Sequence, residues 1–256
     1  MQLSLFRRTE EEIFQSYYDC RKHKRSSREA KEFELDAEHN LLILLDEINS
    51  FSYEIGPSSV FIIDEPVKRE VFAASSRDRI VHHLLINIVG ECLEKRFIYD
   101  SYACRGGKGT HLGINRFKRA TAVIPDGWVL KMDIRSFFMN INRDLLWSRL
   151  STYLRDNLFD ARLDIILYLT RLIIFNDPTK DCRYLCSKSK WDDLPQETSL
   201  FHAKKNCGLP VGNLTIRVFA NFYMSKLDHY IKHDLGIRWY GRYVDDFFWY
   251  TMIRII

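Results

Sequence analysis

The chain has 256 residues, of which 46% are hydrophobic and 28% charged, so it can bury a core of one large or two modest domains. A net charge of +4 is too small to identify a partner, because the placement of basic residues matters more than their total. No run approaches the ~20 apolar residues of a membrane span and no signal peptide is visible, which favours a cytoplasmic protein without a membrane partner.

The first half of the chain alternates helical and strand patterns. Apolar spacing predicts helices at residues 10–18 and 37–48, separated by a basic loop at 21–28. β-Branched and aromatic residues predict strands at 60–64 and 67–73. A long helix is predicted at 77–96, with a core stripe formed by Ile80, Leu84, Ile88 and Leu93.

The second half begins with a predicted strand at residues 128–132. The predicted elements that follow are helices at 144–150 and 158–175, a polar loop region at 176–199, a helix at 218–233, and strands at 237–243 and 247–250. Helices that pack on a small antiparallel sheet give an α+β fold class.

Basic residues concentrate in the first half of the chain. The clusters are residues 21–25, Lys68 with Arg69, Arg105 with Lys108, and residues 116–119. A single cluster is usually a solvated face, whereas several clusters around an acidic centre favour a nucleic-acid cleft.

Six cysteines in a chain without secretory signals are expected to be reduced thiols. Cys182 and Cys186, with His202 and Cys207, leave a zinc site open as an alternative. Their spacing is irregular and no second close pair of ligands exists, so loop thiols are the preferred interpretation.

Three carboxylates carry the chemical signal. Tyr243-Val244-Asp245-Asp246 places two adjacent carboxylates between predicted strands, and Asp133 follows directly after the strand pattern at 128–132. Carboxylates at the end of one strand and on a hairpin can converge in one sheet. Their oxygens suit a hard cation such as Mg²⁺, and nucleotide polymerases hold two such ions about 3.5–4 Å apart. Spacing alone leaves two unrelated strand ends as an equal alternative.

Five segments, in this order along the chain, resemble motifs of the bacterial reverse transcriptases, the retron, group II intron and diversity-generating retroelement polymerases. Residues 77–83 and 97–105 are similar to the fingers motifs, and residues 133–138 to the Asp-x-x-x-Phe-Phe box. Residues 208–215 resemble the segment that lines the template and nucleotide pocket, and residues 243–246 the Tyr-x-Asp-Asp box. The resemblance covers most of the chain.

The resemblance implies the fingers and palm of a right-hand polymerase. Fingers are expected at residues 1–125 and an incomplete palm at 126–256, with a helical insertion at about 144–205. The implied activity is RNA-directed DNA polymerase, a nucleotidyltransferase that extends a primer 3′-hydroxyl with dNTPs and two Mg²⁺ ions. The implied partners are an RNA template, a DNA or RNA primer and, in the diversity-generating type, an accessory protein.

The resemblance also assigns roles around the carboxylates. Asp133, Asp245 and Asp246 are expected to be catalytic and to ligate the Mg²⁺ pair. Phe138 is expected to be a steric gate whose ring rejects a 2′-hydroxyl. Phe137 is expected to be an ordinary core residue, because adjacent strand positions face opposite ways.

Basic fingers residues are expected to bind substrate. Lys68 and Arg69 correspond to the triphosphate-binding pair, since Arg suits forked phosphate contacts and Lys a flexible point charge. Arg77 and Arg105 are expected to contact template or phosphate.

Two departures from the family pattern stand out. Ile216 and Arg217 replace the usual Ser-Gln, which removes an amide near the incoming nucleotide and leaves Arg217 as a phosphate contact. The sequence ends at Ile256, before the rest of the palm and the thumb, so we expect a truncated chain of marginal stability and poor processivity.

Two other functions stay open. One is a non-catalytic remnant that binds RNA or duplex, and the other is a template-independent polymerase of the antiviral defence type. The sequence does not choose among retron, intron mobility, mutagenic retrohoming and defence programmes.

Overall fold

The computed structural model describes residues 2–22 and 28–252, and the side chains of residues 2–9 are outside that description. The helices are α1 (Gln2–Arg21), α2 (Arg28–Glu34), α3 (Ala37–Asn49), α4 (Ser76–Glu94), α5 (Thr110–Val123), α6 (Phe137–Asn140), α7 (Arg143–Asn157), α8 (Leu163–Phe175) and α9 (Leu214–His229). The strands are β1 (Ser58–Ile63), β2 (Arg69–Ala73), β3 (Trp128–Met132), β4 (Cys182–Tyr184), β5 (Trp239–Tyr243) and β6 (Asp246–Thr251). Most of the predicted basic loop at 21–28 lies outside the described residues.

Within the described residues the strands form two three-stranded sheets, in the orders β2-β1-β4 and β3-β6-β5. Strand β1 pairs antiparallel with β2 and parallel with β4. Strand β6 pairs antiparallel with both β3 and β5, as the prediction of a small antiparallel sheet requires. Helices on small sheets confirm the α+β class, while the division into fingers and palm stays a prediction.

The main core lies among the long helices α1, α3, α4, α7, α8 and α9. Helix α4 is capped at its N-terminus by Ser75, whose hydroxyl accepts a hydrogen bond from the backbone N–H of Asp78. Its predicted core stripe is confirmed at Ile80, Leu84 and Leu93, which are buried, whereas Ile88 is half-buried. This core gathers helices from both halves of the chain, so the six helices support one another.

Some predicted boundaries are wrong. Helix α5 lies where no element is predicted, because its basic sequence buries only Gly113 and Ala120 and lacks a clear apolar stripe. Helix α7 continues to Asn157, and α8 begins only at Leu163, after a break in the predicted helix at 158–175. The short strand β4 lies inside the predicted loop region at 176–199, where it pairs with β1.

The six cysteines are all free. Across the described ranges, no group of three or more His, Cys, Asp or Glu side chains is arranged to hold a metal ion, so the zinc alternative finds no support. In the same residues, no helix is both long and apolar enough to cross a lipid bilayer.

The segment before α9 closes the open edge of β2. The backbone N–H of Phe72 donates to the Val211 carbonyl at 2.8 Å, and the N–H of Ala74 donates to the Asn213 side chain at 3.1 Å. Gly212 between them has a φ of +143°, and a Cβ there would lie 2.4 Å from the Phe72 carbonyl oxygen. Only glycine therefore allows this close approach.

We expect Gly212→Ala to lower the free energy of unfolding by roughly 2–4 kcal/mol, because it adds backbone strain to a steric clash. Gly106→Ala is the matched control, since a Cβ at Gly106 meets no atom within 4 Å. Urea unfolding of both variants measures the difference. Equal midpoints for the two variants would contradict the close approach at Gly212.

Candidate active site

One cavity of about 610 Å³ brings together residues from distant parts of the chain. It lies between β2, the segment after β3, the first turn of α9 and the turn between β5 and β6. The predicted site residues on its wall are Lys68, Arg69, Asp133, Phe138, Asp245 and Asp246. Arg77 and Arg105 are not part of this wall.

Asp133 reaches the cavity through strand register. Strand β3 pairs antiparallel with β6 so that Met132, its last residue, faces Phe247. In an antiparallel ladder the next residue of one strand meets the preceding residue of the other. Asp133 therefore lies beside Asp246, at the end of the sheet where the β5–β6 turn is located.

The turn between β5 and β6 has an unusual backbone. Tyr243 pairs with Asp246, which leaves Val244 and Asp245 as the two central residues. Val244 has a φ of +60°, a left-handed conformation that glycine normally supplies at this position of a type II′ turn. For a β-branched residue it costs about 1–3 kcal/mol. Val244 packs against the main core, which helps to offset this strain.

The electrostatics of the site centre on Asp245. Burial of this half-buried carboxyl raises its pKa, and the negative charges of Asp133 and Asp246 raise it further, although backbone hydrogen bonds oppose the shift. Like charges this close together favour binding of a cation. Asp246 already has one cationic neighbour, because the Lys131 ammonium lies 3.6 Å from its carboxylate.

The three carboxylates fit Mg²⁺ in donor type, since hard cations prefer oxygen ligands. Their charges also fit, because the pKa of Asp245 is raised partly by its two acidic neighbours. Their arrangement is not that of a formed metal centre, as the described residues contain no such group of three. The two-ion Mg²⁺ site therefore stays a prediction.

Basic residues share the cavity with the carboxylates. Lys68 lies 3.6 Å from Asp193, and Arg69 is exposed without an ion pair among the described residues. Ile216 and Arg217, which depart from the family pattern, both line the cavity. Ile216 is buried, whereas Arg217 is exposed, so the cationic residue of the two is the one accessible to a ligand.

The aromatic pair behaves as predicted in burial but for a different reason. The chain leaves β3 through Ser136, whose φ is +50°, and then forms the helical turn α6. Both rings line the cavity, but Phe137 is buried in the main core, whereas Phe138 is half-buried. The assumption of strand alternation is wrong here, because successive helical residues point about a quarter-turn apart rather than to opposite faces.

Arg105 lies away from the cavity wall, and its template or phosphate contact stays a prediction. Its guanidinium donates to both carboxylate oxygens of Glu94 at 2.5–2.9 Å, and to the carbonyls of Ile98 and Ser101 at 2.6 and 2.7 Å. It also lies over the Phe97 ring. The Arg105 donors are engaged within the chain, so its contacts are those of a structural residue.

Arg77 is also engaged internally. It forms an ion pair with Glu47, donates to the Glu54 carbonyl at 3.2 Å, and lies over the Tyr53 ring. These contacts anchor the start of α4 to α3 and to the segment that follows it. The template or phosphate contact of Arg77 stays a prediction.

Two buried polar residues beside the cavity were not predicted. Glu70 accepts hydrogen bonds from the Trp191 indole, the Ser199 hydroxyl and the backbone N–H of Leu200, and so ties β2 to the loop region. Arg242 is fully buried in β5. The available signal was a charged residue inside a strand pattern, which requires a buried partner.

Known proteins offer limited similarity. No family model matches the chain. The "Uncharacterized 91 kDa protein in cob intron" of Schizosaccharomyces pombe is 24% identical over 196 residues, which are 74% of this chain and 20% of that protein. The chain thus spans about a fifth of the length of this curated relative.

Two solved structures are similar at 16% identity and a TM-score of 0.47. They are described as "Partial Cas6-RT-Cas1--Cas2 complex" and "Cas6-RT-Cas1--Cas2 complex". In both cases the similarity covers 96% of this chain, and it covers 37% and 23% of the respective matched chains.

We expect Asp245→Asn to raise the free energy of unfolding at neutral pH. The fold raises the pKa of Asp245 above its ordinary value of 3.8, so ionisation of this carboxyl destabilises the folded state. The gain from Asn should be constant above the raised pKa and should vanish as the pH falls below 3.8, where Asp245 becomes protonated in both the folded and the unfolded state.

Urea unfolding across this pH range measures the effect, and Asp126→Asn in an exposed loop is the control. A gain that is equal in both variants, or one that grows as the pH falls, would contradict the assigned environment of Asp245.

Proposed function

We propose that the chain is the fingers and palm of an RNA-directed DNA polymerase, a reverse transcriptase that extends a primer 3′-hydroxyl with dNTPs. The observation that carries the proposal is the meeting of Asp133, Asp245 and Asp246 on one cavity wall, in the strand-end and hairpin arrangement that the sequence predicts. The order of five motifs along the chain supports the same function.

In this proposal the three carboxylates hold a pair of Mg²⁺ ions. When bound, such ions supply activation of the attacking hydroxyl and neutralisation of the leaving oxygen. The exposed Arg69 and Arg217 in the same cavity suit the triphosphate, because a guanidinium forms forked contacts with phosphate oxygens. The primer 3′-oxygen joins the α-phosphorus, and pyrophosphate leaves.

The similarity to a protein in a cob intron agrees with the intron type among the programmes of this family. The whole reaction cycle includes binding of the template and primer, which involves residues outside the cavity as well. Residues 1–125 are proposed as fingers and residues 126–256 as palm, with the helical insertion at about 144–205.

A second candidate function is a non-catalytic binder of RNA or duplex. Lys131 favours it, because its ammonium lies 3.6 Å from Asp246 and competes there with a cation. The two functions differ in their need for the three carboxylates: the polymerase requires them for its reaction, whereas the binding remnant does not.

Asp245→Asn combined with Asp246→Asn should abolish primer extension. Loss of the carboxylate oxygens removes several kcal/mol of transition-state stabilisation, which corresponds to at least about a thousandfold in rate. The assay is extension of a labelled primer on an RNA template with Mg²⁺ and dNTPs, and Asp126→Asn is the control. Full activity in the double variant would exclude these roles.

The same assay separates the alternatives. Salt-dependent RNA binding with no incorporation, unchanged in the double variant, identifies the binding remnant. Products that form without a template, read by sequencing, identify the template-independent polymerase of the defence type.

Phe138→Ala should increase the incorporation of ribonucleotides relative to deoxynucleotides by on the order of tenfold or more, because the ring would no longer exclude the 2′-hydroxyl. Both Phe138 and Phe137 line the cavity, but Phe138 is half-buried, whereas Phe137 is buried in the core. Phe219→Leu is the control that weakens the fold without changing selectivity, because Phe219 is fully buried in the main core and does not line the cavity. Ratios of kcat/KM for the two nucleotide classes measure the effect, and equal ratios in all variants would exclude the gate.

A further inference from the structure

Arg242 in β5 is the largest fully buried side chain among the described residues, and it is paired with Asp228 of α9, which is also fully buried. The two form a forked ion pair, with Nε donating to one carboxylate oxygen at 2.8 Å and Nη2 to the other at 2.7 Å. The Tyr240 hydroxyl donates to the same carboxylate at 2.6 Å. The guanidinium is therefore fixed in position and orientation.

One further contact of Arg242 reaches the carboxylate turn, while Nη2 also donates to the Ser101 hydroxyl at 3.3 Å. Nη1 donates to the Val244 carbonyl at 2.6 Å and to the Asn221 side chain at 3.0 Å. Asn221 is itself held, because its amide donates to the Ala103 carbonyl at 2.7 Å. The contact with Val244 is thus made by a guanidinium that its other partners hold rigidly.

The Val244 carbonyl belongs to the peptide unit that leads into Asp245. This unit is planar, so fixing its oxygen fixes the direction in which the chain enters Asp245. Val244 is also the residue with the left-handed φ of +60°, which an unrestrained valine rarely adopts. The hydrogen bond therefore acts on the strained residue of the turn.

A purely structural explanation of the pair is weak. Two charges lose their hydration when they are buried, and a buried ion pair is often no more stabilising than apolar residues of the same volume. The forked ion pair fixes the orientation of the guanidinium, whereas an apolar pair of the same volume has no such donor to orient.

We propose that the Arg242–Asp228 pair is a positioning clamp, which holds the Val244 turn in its left-handed form and thereby aims the Asp245 carboxylate into the cavity. The inference rests on the proposed function, in which Asp245 is a catalytic residue that binds Mg²⁺. Arg242 and Asp228 touch neither substrate nor metal in this scheme, and they act through the turn.

Arg242→Lys tests the clamp without leaving Asp228 unpaired. A lysine keeps the charge, but its single nitrogen cannot span both the carboxylate and the Val244 carbonyl. Arg162→Lys is the matched control, because Arg162 is a poorly exposed arginine with a forked pair to Asp160, and neither residue lines the cavity.

The first readout is hydrogen exchange of the full chain, followed by mass spectrometry. Peptides that cover residues 243–246 should exchange roughly tenfold faster or more in Arg242→Lys, which matches the loss of one charge-assisted hydrogen bond. Arg162→Lys should leave these peptides unchanged. Equal exchange in the wild type and Arg242→Lys, or equal acceleration by both variants, would overturn the clamp.

The second readout is the Mg²⁺ concentration for half-maximal primer extension. Arg242→Lys should raise it by about 10–100-fold, as loss of a residue that orients a ligand does, while KM for the primer–template stays unchanged. Val244→Gly should reduce this effect in the double variant, because glycine adopts the left-handed turn without strain.

An unchanged Mg²⁺ requirement in an active Arg242→Lys enzyme would overturn the positioning role. A wild-type chain that extends no primer would count against the proposed function alone, since the exchange experiment still decides whether the pair holds the turn.

Discussion

The strained turn at Val244 is the constraint on which the site depends. A β-branched residue with a φ of +60° persists only where its surroundings determine the backbone more strongly than its own preference does. Here the valine side chain packs on the main core, and its carbonyl accepts from the buried Arg242. The turn is therefore an extension of the core, and the direction of Asp245 follows from the packing of α9 against β5. Strain of this kind recurs at sites where a side chain must be aimed.

Strand register sets the second half of the geometry. Because Met132 faces Phe247, Asp133 can approach the turn only if β3 and β6 keep this pairing. A slip of β6 by one residue would turn Tyr250 away from α5, so the burial of Tyr250 there also fixes where Asp133 lies. The Tyr250 hydroxyl strengthens the register by donating to the Ile124 carbonyl at 2.6 Å. Packing far from the carboxylates thus positions them.

Sequence patterns predicted the elements that carry the carboxylates, because β3, β5 and β6 are short runs of apolar and aromatic residues with clear ends. Those ends allowed Asp133 to converge with Asp245 and Asp246 but left unrelated strand ends as an equal alternative, and the resemblance of the motifs favoured convergence. The partners of individual arginine side chains could not be predicted in the same way. Arg105 and Arg242 are both cations near motif residues, yet each is used by a carboxylate that lies elsewhere in the chain, Glu94 and Asp228. Such pairings depend on tertiary contacts, and a charged residue within an apolar pattern shows only that a partner exists. Helix α5 was not predicted because it buries too few side chains to give its sequence an apolar stripe.

Under the proposed function, the charge balance of the cavity has to suit both substrate and metal. Asp245 is half-buried beside two other carboxylates, which raises its pKa and makes the folded chain less stable than it would be with a neutral residue there. Lys131 relieves Asp246 only in part, because both side chains are largely exposed and the pair is screened by solvent. Under the proposed function, a divalent ion would bring more charge to the carboxylates than one ammonium does. The triphosphate of the proposed substrate would in turn bring negative charge to Arg69 and Arg217 on the same wall. Under the proposed function, neither ligand is fully favourable without the other, so metal and nucleotide binding are coupled through the electrostatics of one cavity.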